Sequence, residues 1–314
     1  MPKAEGLRGC HKLVIIYFSF LALSFIKFVN YIRKPQTTEY RTLFPMNILT
    51  FDIEDWFHTH QNRQDYSGHI WKDLPSKVEF NTGRILDMLG EHDLKATFFV
   101  LGWVGEHYPD LVKQIHSQGH EIAAHSHWHH NPQFLSPESF EKDVKLCLST
   151  LQNIIGEKIT AYRAPGFNLK INDKWAFEIL LANGIEVDSS VELWKIPKNI
   201  PVIIETPENK ILEFPLIRST FGIPYSGGGY FRALPQSYIN YLIKKHEYNL
   251  LYFHPRDFDS ENPYTNLFSF FRNWLNRLNT GKCKNNLNTI LLNNKTHTLK
   301  QAVDKYKKNS LLHD

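Results

Sequence analysis

From residue 47 onward, short apolar runs alternate with segments whose apolar positions recur at helical spacing. This alternation predicts βα units and a parallel sheet rather than a sandwich of antiparallel strands. The apolar runs predict eight strands: Asn47–Ile53, Ala96–Leu101, Glu121–Ala124, Ile159–Tyr162, Ile185–Val187, Val202–Glu205, Ile211–Phe214 and Leu250–Phe253. Their number favours an α/β fold built as a small, distorted (β/α) barrel.

Helix boundary signals lie between these strands. Ser76 and Glu79 form a capping box in front of an apolar helical face, and Ser136 precedes Pro137 at the first position of another predicted helix. Gly119 and Gly184 stand where helix ends require a left-handed residue. The chain therefore supplies the crossover helices that parallel strands need.

Composition excludes several classes of protein. The net charge of the 314 residues is only +4, and the basic residues are scattered apart from the Lys300–Lys308 tail, so no nucleic-acid partner is expected. Cys10, Cys147 and Cys283 lie far apart and form no CxxC pair, so neither a disulfide framework nor a thiolate zinc site is expected. Aromatic residues make up 14% of the chain, a content that permits carbohydrate binding without requiring it.

The N-terminal part has a different pattern. Leu13–Ile26 is an apolar run that extends imperfectly to Ile32. It is shorter than the roughly 20 residues of a full membrane span, and no small-residue cleavage site follows it. We expect residues 1–45 to be an uncleaved membrane anchor with a linker, associating with the membrane through residues 13–32. The alternative is that translation begins at Met46, which would leave a cytoplasmic protein.

These patterns divide the chain into three parts. Residues 46–280 are the predicted main domain, and residues 281–314 are a predicted C-terminal appendage with a short helix and the basic tail. The Asn- and Lys-rich stretch Lys282–Lys295 is interpreted as a loop or a boundary of this appendage.

Acidic and imidazole side chains follow two of the predicted strands. Asp52, Glu54 and Asp55 close the first strand, and His125 and His129 follow the third. Active sites of parallel α/β barrels form at this carboxyl-terminal rim. Side-chain alternation places Asp52 and Glu54 on one face of the strand and Asp55 in the turn beyond it.

Two imidazoles four residues apart can bind one divalent ion together with a carboxylate. A polar loop with stacked histidines is the alternative, since the chain has sixteen histidines. The acidic group after an apolar strand favours the metal, because a buried carboxylate needs a cation, a proton or an arginine.

Five segments in this order resemble the successive motifs of the polysaccharide deacetylases, also called carbohydrate esterase family four or the nodulation-protein homology domain. They are Thr50-Phe51-Asp52, His125-Ser126-x-x-His129, Arg163-Ala164-Pro165-Gly166, Asp188-Ser189-Ser190 and Leu251-Tyr252-Phe253-His254-Pro255. The resemblance runs from about Met46 to Asp259. It implies a distorted (β/α) barrel, a single catalytic domain and one divalent metal ion, usually zinc.

Two further segments are similar to one branch of that family, found beside exopolysaccharide and surface-glycan loci. They are Glu213-Phe214-Pro215 and the segment Gly227–Arg232.

The first motif departs from the commonest family pattern, in which two aspartates are adjacent. Here Ile53 follows Asp52. Branches with an Asp-x-Asp pattern put the metal ligand at Glu54, whereas an alignment with a short insertion would put it at Asp55. Strand alternation favours Glu54, and Asp55 stays open, so the expected ligands are His125, His129 and one of these two carboxylates.

The resemblance also implies roles for four further residues. Asp52 acts as the base that takes a proton from the attacking water, and Arg163 pairs with Asp52. His254 protonates the departing amine and needs a carboxylate partner, for which Asp188 is the expected residue.

Trp56, Trp128 and Tyr230 lie near these positions and are expected to form stacking walls of a sugar cleft, with a core role as the alternative for each.

The expected reaction is hydrolysis of an N-acetyl group on a sugar of a polysaccharide or glycolipid intermediate. Two alternatives remain from the sequence: hydrolysis of other non-peptide C–N bonds, as in cyclic ureides, and a catalytically silent glycan-binding module.

Overall fold

The computed structural model describes residues 46–59, 71–197, 199–218, 224–261, 263 and 270–310. Contacts divide the chain into two compact units, one of residues 42–264 with 276–314 and one of residues 1–41 with 265–275. Of the second unit, only the helical residues 270–275 are described. The apolar run 13–32 and its anchor prediction lie outside the described residues. Within the described ranges, no helix combines the length and apolarity that crossing a membrane requires.

The strands of the described chain confirm the predicted α/β class. In chain order they are β1 (Met46–Ile53), β2 (Thr97–Val100), β3 (Glu121–Ala124), β4 (Ala161–Tyr162), β5 (Val187–Asp188), β6 (Glu192–Leu193), β7 (Val202–Glu205), β8 (Lys210–Glu213), β9 (Leu216–Ile217), β10 (Tyr248–Phe253) and β11 (Thr296–His297). The main sheet has the order β10-β1-β2-β3-β4-β5-β8-β7. Neighbouring strands of the main sheet are parallel, except for β7 and β8, which are antiparallel. Strands β6 and β9 pair with each other in a separate small sheet.

Helices connect these strands. They are α1 (Val78–Glu91), α2 (Gly102–His107), α3 (Pro109–Ser117), α4 (Pro137–Ile155), α5 (Lys174–Ala182), α6 (Gly228–Ala233), α7 (Gln236–Lys245), α8 (Phe270–Arg277), α9 (Thr280–Asn293) and α10 (Leu299–Ser310). The Asn- and Lys-rich stretch interpreted as a loop lies mostly in α9, so that interpretation is wrong. Its apolar residues Leu287 and Ile290 recur at helical spacing and are buried.

The sheet curls so that its two ends share one core. Ile48 of β1, Phe99 of β2, Leu216 of β9 and Tyr248 of β10 belong to the same buried cluster. The Tyr248 hydroxyl also donates to the carbonyl oxygen of Pro215 at 2.8 Å, across the gap between β10 and β9. Strand alternation then directs every second residue of β1 into this interior, which places the side chain of Asp52 there as well.

The C-terminal segment packs against the first strands of the chain. Strand β11 pairs with Asn47 and Ile48 of β1, and the backbone N–H of Leu299 donates to Thr97 Oγ1 at 2.7 Å. Leu299 and Ala302 are fully buried in the core cluster. Burial of one such leucine stabilises the fold by about 1.5–3 kcal/mol, so residues assigned by sequence to an appendage stabilise the barrel itself.

Candidate functional site

Three side chains that can bind a metal converge where β1 and β3 end. Ligand atoms of Glu54, His125 and His129 all lie within 4.8 Å of one another. Glu54 Oε2 contacts His129 Nε2 directly. His125 Nδ1 lies 2.8 Å from the carbonyl oxygen of Arg163, a contact that assigns the proton to Nδ1 and leaves Nε2 as the ligand atom.

The chemistry of these three groups fits a divalent cation. Glu54 is 1% exposed, and its Oε2 lies directly against His129 Nε2, so a buried carboxylate and an imidazole present their ligand atoms to the same point. Burial would raise the pKa of Glu54, but the charges of His129, Arg256 and His254 outweigh it and hold that pKa well below the ordinary value. Burial also lowers the pKa of His125 to about 4, which keeps its imidazole in the neutral form that binds metals.

The backbone of residues 125–129 has two strained residues and is held by a side chain of helix α4. Ser126 and His129 have φ angles of 66° and 56°, in the left-handed region that side chains disfavour. The buried carboxylate of Asp143 in α4 accepts hydrogen bonds from the backbone N–H groups of His127 and Trp128 at 2.9 and 3.0 Å. Asp143 thereby fixes the turn that directs His125 and His129 toward Glu54.

Asp55, the alternative carboxylate ligand, has a different role. Its carboxylate accepts hydrogen bonds from the Ser76 hydroxyl at 2.6 Å and from the backbone N–H groups of Lys77 and Val78 at 2.8 and 3.2 Å. It therefore caps the start of α1, where backbone N–H groups lack partners. Burial raises the pKa of Asp55 despite these bonds. Asp55 is not among the three residues whose ligand atoms converge, and its contacts favour Glu54 as the carboxylate of a metal site.

Arg163 holds Asp52 by an ion pair near the cluster of Glu54, His125 and His129. Arg163 is fully buried, and its Nη1 donates to Asp52 Oδ1 at 2.6 Å and to Thr50 Oγ1 at 2.9 Å. Its Nε and Nη2 donate to the carbonyl and hydroxyl oxygens of Ser189, and its guanidinium carbon lies 3.9 Å from the ring centroid of Phe99. These contacts fix the position of the guanidinium group, which in turn fixes Oδ1 of Asp52.

His254 faces the same centre from the end of β10. Its Nε2 lies 3.4 Å from Glu54 Oε1 and 4.0 Å from Asp52 Oδ2. Its Nδ1 lies 3.2 Å from Asp257 Oδ2. The His254 side chain is 16% exposed, against 3% for Asp52 and 1% for Glu54, so it is the most accessible of the three.

Asp257 takes the place that the sequence analysis assigned to Asp188, and the expected Asp188–His254 pair is wrong. Asp188 accepts a hydrogen bond from the Ser190 hydroxyl at 2.6 Å and interacts with the carboxyl group of Glu213. Burial raises the pKa of Asp188, and burial together with the nearby Asp188 charge raises that of Glu213 well above its usual value. Two buried carboxyl groups in contact share a proton, so this pair is a structural support of the neighbouring strand ends.

The three predicted aromatic residues lie in different environments. Trp56 is 6% exposed, and its indole N–H donates to the carbonyl oxygen of Pro75 at 3.0 Å, which favours the core alternative. Trp128 is half-buried with its ring 6.4 Å from that of Trp71. Tyr230 in α6 is exposed.

A comparison with known families agrees with this geometry. The family described as polysaccharide deacetylase matches residues 48–180. This region belongs to the polysaccharide deacetylase family. A second family, described only as a domain of unknown function (DUF3473), matches residues 191–304.

Relatives of the deacetylase region match a limited part of their own lengths. The chain is 35% identical over 102 residues to a peptidoglycan-N-acetylglucosamine deacetylase of Bacillus cereus, which is 32% of this chain and 37% of that protein. It is 42% identical over 64 residues to a chitooligosaccharide deacetylase of Rhizobium leguminosarum bv. trifolii, which is 20% of this chain and 30% of that protein. The chain thus spans about a third of the length of these relatives.

A solved structure confirms the predicted fold. A crystal structure of a polysaccharide-deacetylase-like protein from Mycobacterium smegmatis superposes with a TM-score of 0.52 at 18% identity. The superposition covers 71% of this chain and 81% of that one.

Residues of the second matched region also lie in the candidate site, beside residues of the first. Arg256, which the sequence analysis missed, approaches Glu54 Oε1 at 2.5 Å. The charges of Glu54 and Asp257 raise the pKa of Arg256 although burial opposes this. The sequence did contain a signal for these two residues, because Arg256 and Asp257 directly follow the His254-Pro255 motif. They lie in a short 3₁₀ helix that begins at Pro255.

Proposed function

We propose that this chain is a metal-dependent hydrolase that removes N-acetyl groups from a sugar of a polysaccharide or glycolipid intermediate. One observation carries the proposal: ligand atoms of Glu54, His125 and His129 converge, with Asp52 and His254 beside them. The family of residues 48–180, and relatives named as deacetylases of peptidoglycan and chitooligosaccharides, support an acetylated glycan as substrate.

Glu54, His125 and His129 would hold one divalent ion. Two histidines and one carboxylate form a recurrent protein ligand set of catalytic zinc sites, so we propose zinc. When bound, such an ion polarises the amide carbonyl and lowers the pKa of water. The neutral imidazole of His125 and the ionised carboxylate of Glu54 are the forms that this role requires.

Asp52 acts as the base. Arg163 occupies its Oδ1, which leaves Oδ2 to accept a proton from the attacking water. Because the guanidinium is fixed by Thr50 and Ser189, the carboxylate cannot rotate away from that direction. A general base must be held in a fixed direction toward the proton that it takes, and Arg163 holds Asp52 in this way.

His254 acts as the acid. Asp257 lies at Nδ1 and stabilises the imidazolium, so the Nε2 proton is directed toward the centre that Glu54 and Asp52 share. As the C–N bond breaks, Nε2 gives this proton to the leaving amine. The acetyl carbon receives the oxygen of water, and the products are acetate and a free amino sugar.

The glycan source and the cellular location rest on sequence. We propose a glycan of the exopolysaccharide or cell-surface type, because the segments 213–215 and 227–232 resemble that branch of the family. Glu213 supports Asp188, and Gly228 lies against Asp257, so both segments pack around the proposed site. Residues 13–32 are the proposed anchor, which membrane fractionation of the full chain and of residues 46–314 would test.

The test is release of acetate by the purified protein, measured together with its metal content. N-acetylated oligosaccharides, O-acetylated sugars and cyclic ureides are compared as substrates. We expect acetate and a new amino group from the N-acetylated sugars only. Ureide hydrolysis would favour the alternative C–N chemistry. A folded, metal-loaded protein without any turnover would favour a silent glycan-binding module.

A further inference from the structure

A small polar and aromatic surface lies on the β6–β9 sheet, in the region matched only to a domain of unknown function. We call Trp194, Arg218 and Glu192 the β6–β9 patch. Trp194 is 65% exposed, and the guanidinium carbon of Arg218 lies 4.8 Å from its ring centroid. Arg218 Nε and Nη2 donate to Glu192 Oε1 and Oε2 at 2.7 and 2.8 Å. This two-point pair supports the exposed indole in one orientation.

The β6–β9 sheet and the strand that precedes the proposed acid pack on one core. Tyr252 of β10 and Leu193, the residue before Trp194, pack against the same buried cluster, which contains Ile217, the residue before Arg218. The ring of Tyr252 lies 5.8 Å from the ring of His254. Tyr252 therefore lies beside the proposed acid and on the core that the β6–β9 sheet covers, and a glycan chain that extends from His254 past Tyr252 would run toward Trp194.

The β6–β9 patch has the chemistry that a sugar ring requires. A pyranose has apolar C–H groups on its faces and hydroxyl groups around its edge, so it pairs with a flat indole and nearby polar groups. Arg218 Nη1 donates to no residue in the described ranges, and neither does the indole N–H of Trp194. Glu192 neutralises Arg218, so the patch carries no net charge and fits a neutral sugar better than an anionic one.

We propose that the β6–β9 patch is a second sugar-binding subsite, which takes a neutral pyranose of the glycan chain that bears the acetylated sugar. This inference rests on the proposed function and narrows it. The substrate is then an oligosaccharide or polysaccharide, and a monosaccharide, small amide or ureide would leave the patch unused.

The first test compares Trp194→Ala with Phe80→Ala. Phe80 is a matched control because it is 67% exposed and has an arginine, Arg84, 5.9 Å from its ring centroid, but it lies on α1. Kinetics are measured with N-acetylglucosamine and with its tetramer. Trp194→Ala should lower the tetramer-to-monomer ratio of kcat/KM about tenfold, through KM, which corresponds to about 1.4 kcal/mol. Phe80→Ala should leave the ratio unchanged, as should Trp194→Phe within about threefold.

The second test does not depend on turnover. Binding of the tetramer to Asp52→Asn protein is measured by calorimetry, with and without Trp194→Ala. A tenfold weaker binding in the double variant supports the subsite even if no variant releases acetate, in which case the proposed function alone fails. Equal tetramer binding and equal kinetic ratios with and without Trp194 would overturn the subsite, whatever the activity. Absence of tetramer binding to Asp52→Asn protein would overturn it too.

Discussion

Asp257 contacts His254 at two points. Its Oδ2 accepts a hydrogen bond from the backbone N–H of His254 at 2.8 Å and lies 3.2 Å from Nδ1 of the same residue. Burial would raise the pKa of Asp257, but His254, Arg232 and Arg256 hold it well below the ordinary value. Asp257 is therefore an anion that fixes both the backbone and the ring of the proposed acid.

We expect Asp257→Asn to act through His254 rather than through the metal. The neutral amide cannot stabilise an imidazolium as the carboxylate does, so kcat should fall about 10- to 100-fold with metal content unchanged. The loss should appear in kcat with KM little changed, whereas a merely structural role would lower the midpoint of thermal unfolding, so kinetics, metal content and thermal unfolding are all measured.

The two glycines that begin α6 test the contact between Asp257 and this helix. A Cβ atom on Gly228 would overlap the carboxylate of Asp257, whereas a Cβ on Gly229 would meet open space. Gly228→Ala should therefore displace Asp257 and lose activity, with a lower midpoint of thermal unfolding. Gly229→Ala should keep full activity and be as stable as the parent or slightly more so, because alanine limits the unfolded chain. Equal behaviour of the two variants would contradict this packing.

Metal content should distinguish Glu54 from Asp55. Replacing His125 and His129 together by alanine, or Glu54 by glutamine, should abolish or strongly weaken metal retention, which elemental analysis measures after dialysis. Asp55→Ala should retain the metal and instead lose about 0.5–2 kcal/mol of unfolding free energy, because α1 loses its cap. Stoichiometric metal in the double histidine variant would refute the site.

Variants of the proposed base and acid should differ from variants of the proposed metal ligands, because they lose activity without losing the metal. Asp52→Asn and His254→Ala should each keep the metal and the fold while kcat falls about 10²–10⁴-fold with little change in KM. Loss of metal from Asp52→Asn would make Asp52 a ligand and require another base. Turnover close to the parent in His254→Ala would remove the proposed acid.

Sequence patterns predicted the parts of the site that depend on a single strand. Alternation along β1 gave Glu54 rather than Asp55 the favoured position, and the structure brings Glu54 to the two histidines. The role of Asp55 was not predictable, because its partners Ser76 and Lys77 lie more than twenty residues away. An acidic residue in a turn has the same local pattern whether it caps a helix or binds an ion.

Contacts between strand ends were the hardest to predict. The order of motifs places Asp188 and His254 on one rim, but distance around a barrel depends on strand pairing, which separates β5 from β10. The observed partner, Asp257, lies three residues after His254 in the chain. It contacts His254 only because residues 255–258 form a 3₁₀ helix, which the sequence pattern did not predict. Strands of two residues, such as β6, β9 and β11, have no periodicity to detect, and β11 pairs with a strand about 250 residues earlier.

A buried histidine outside the cluster of Glu54, His125 and His129 determines the last prediction. His120 is 4% exposed, and its Nδ1 accepts a hydrogen bond from the backbone N–H of Ala96 at 3.3 Å. Its ring lies 4.9 Å from the ring of Phe98. Burial, with a smaller effect from Lys95, lowers its pKa from 6.5 to about 4. Between these two values the unfolded chain binds a proton that the folded chain excludes.

The free energy of unfolding should therefore fall in acid because of His120. The contribution of neutral His120 to that free energy is complete above pH 6.5 and is lost as the pH falls toward 4, and the slope of the free energy against pH corresponds to at most one proton. His120→Asn keeps an acceptor for the Ala96 N–H and does not titrate, so its unfolding free energy should fall less steeply between pH 6.5 and 4. Urea unfolding of metal-free protein measures both slopes without the protons that metal release would add. Parallel curves for the two proteins would show that His120 is already protonated when folded.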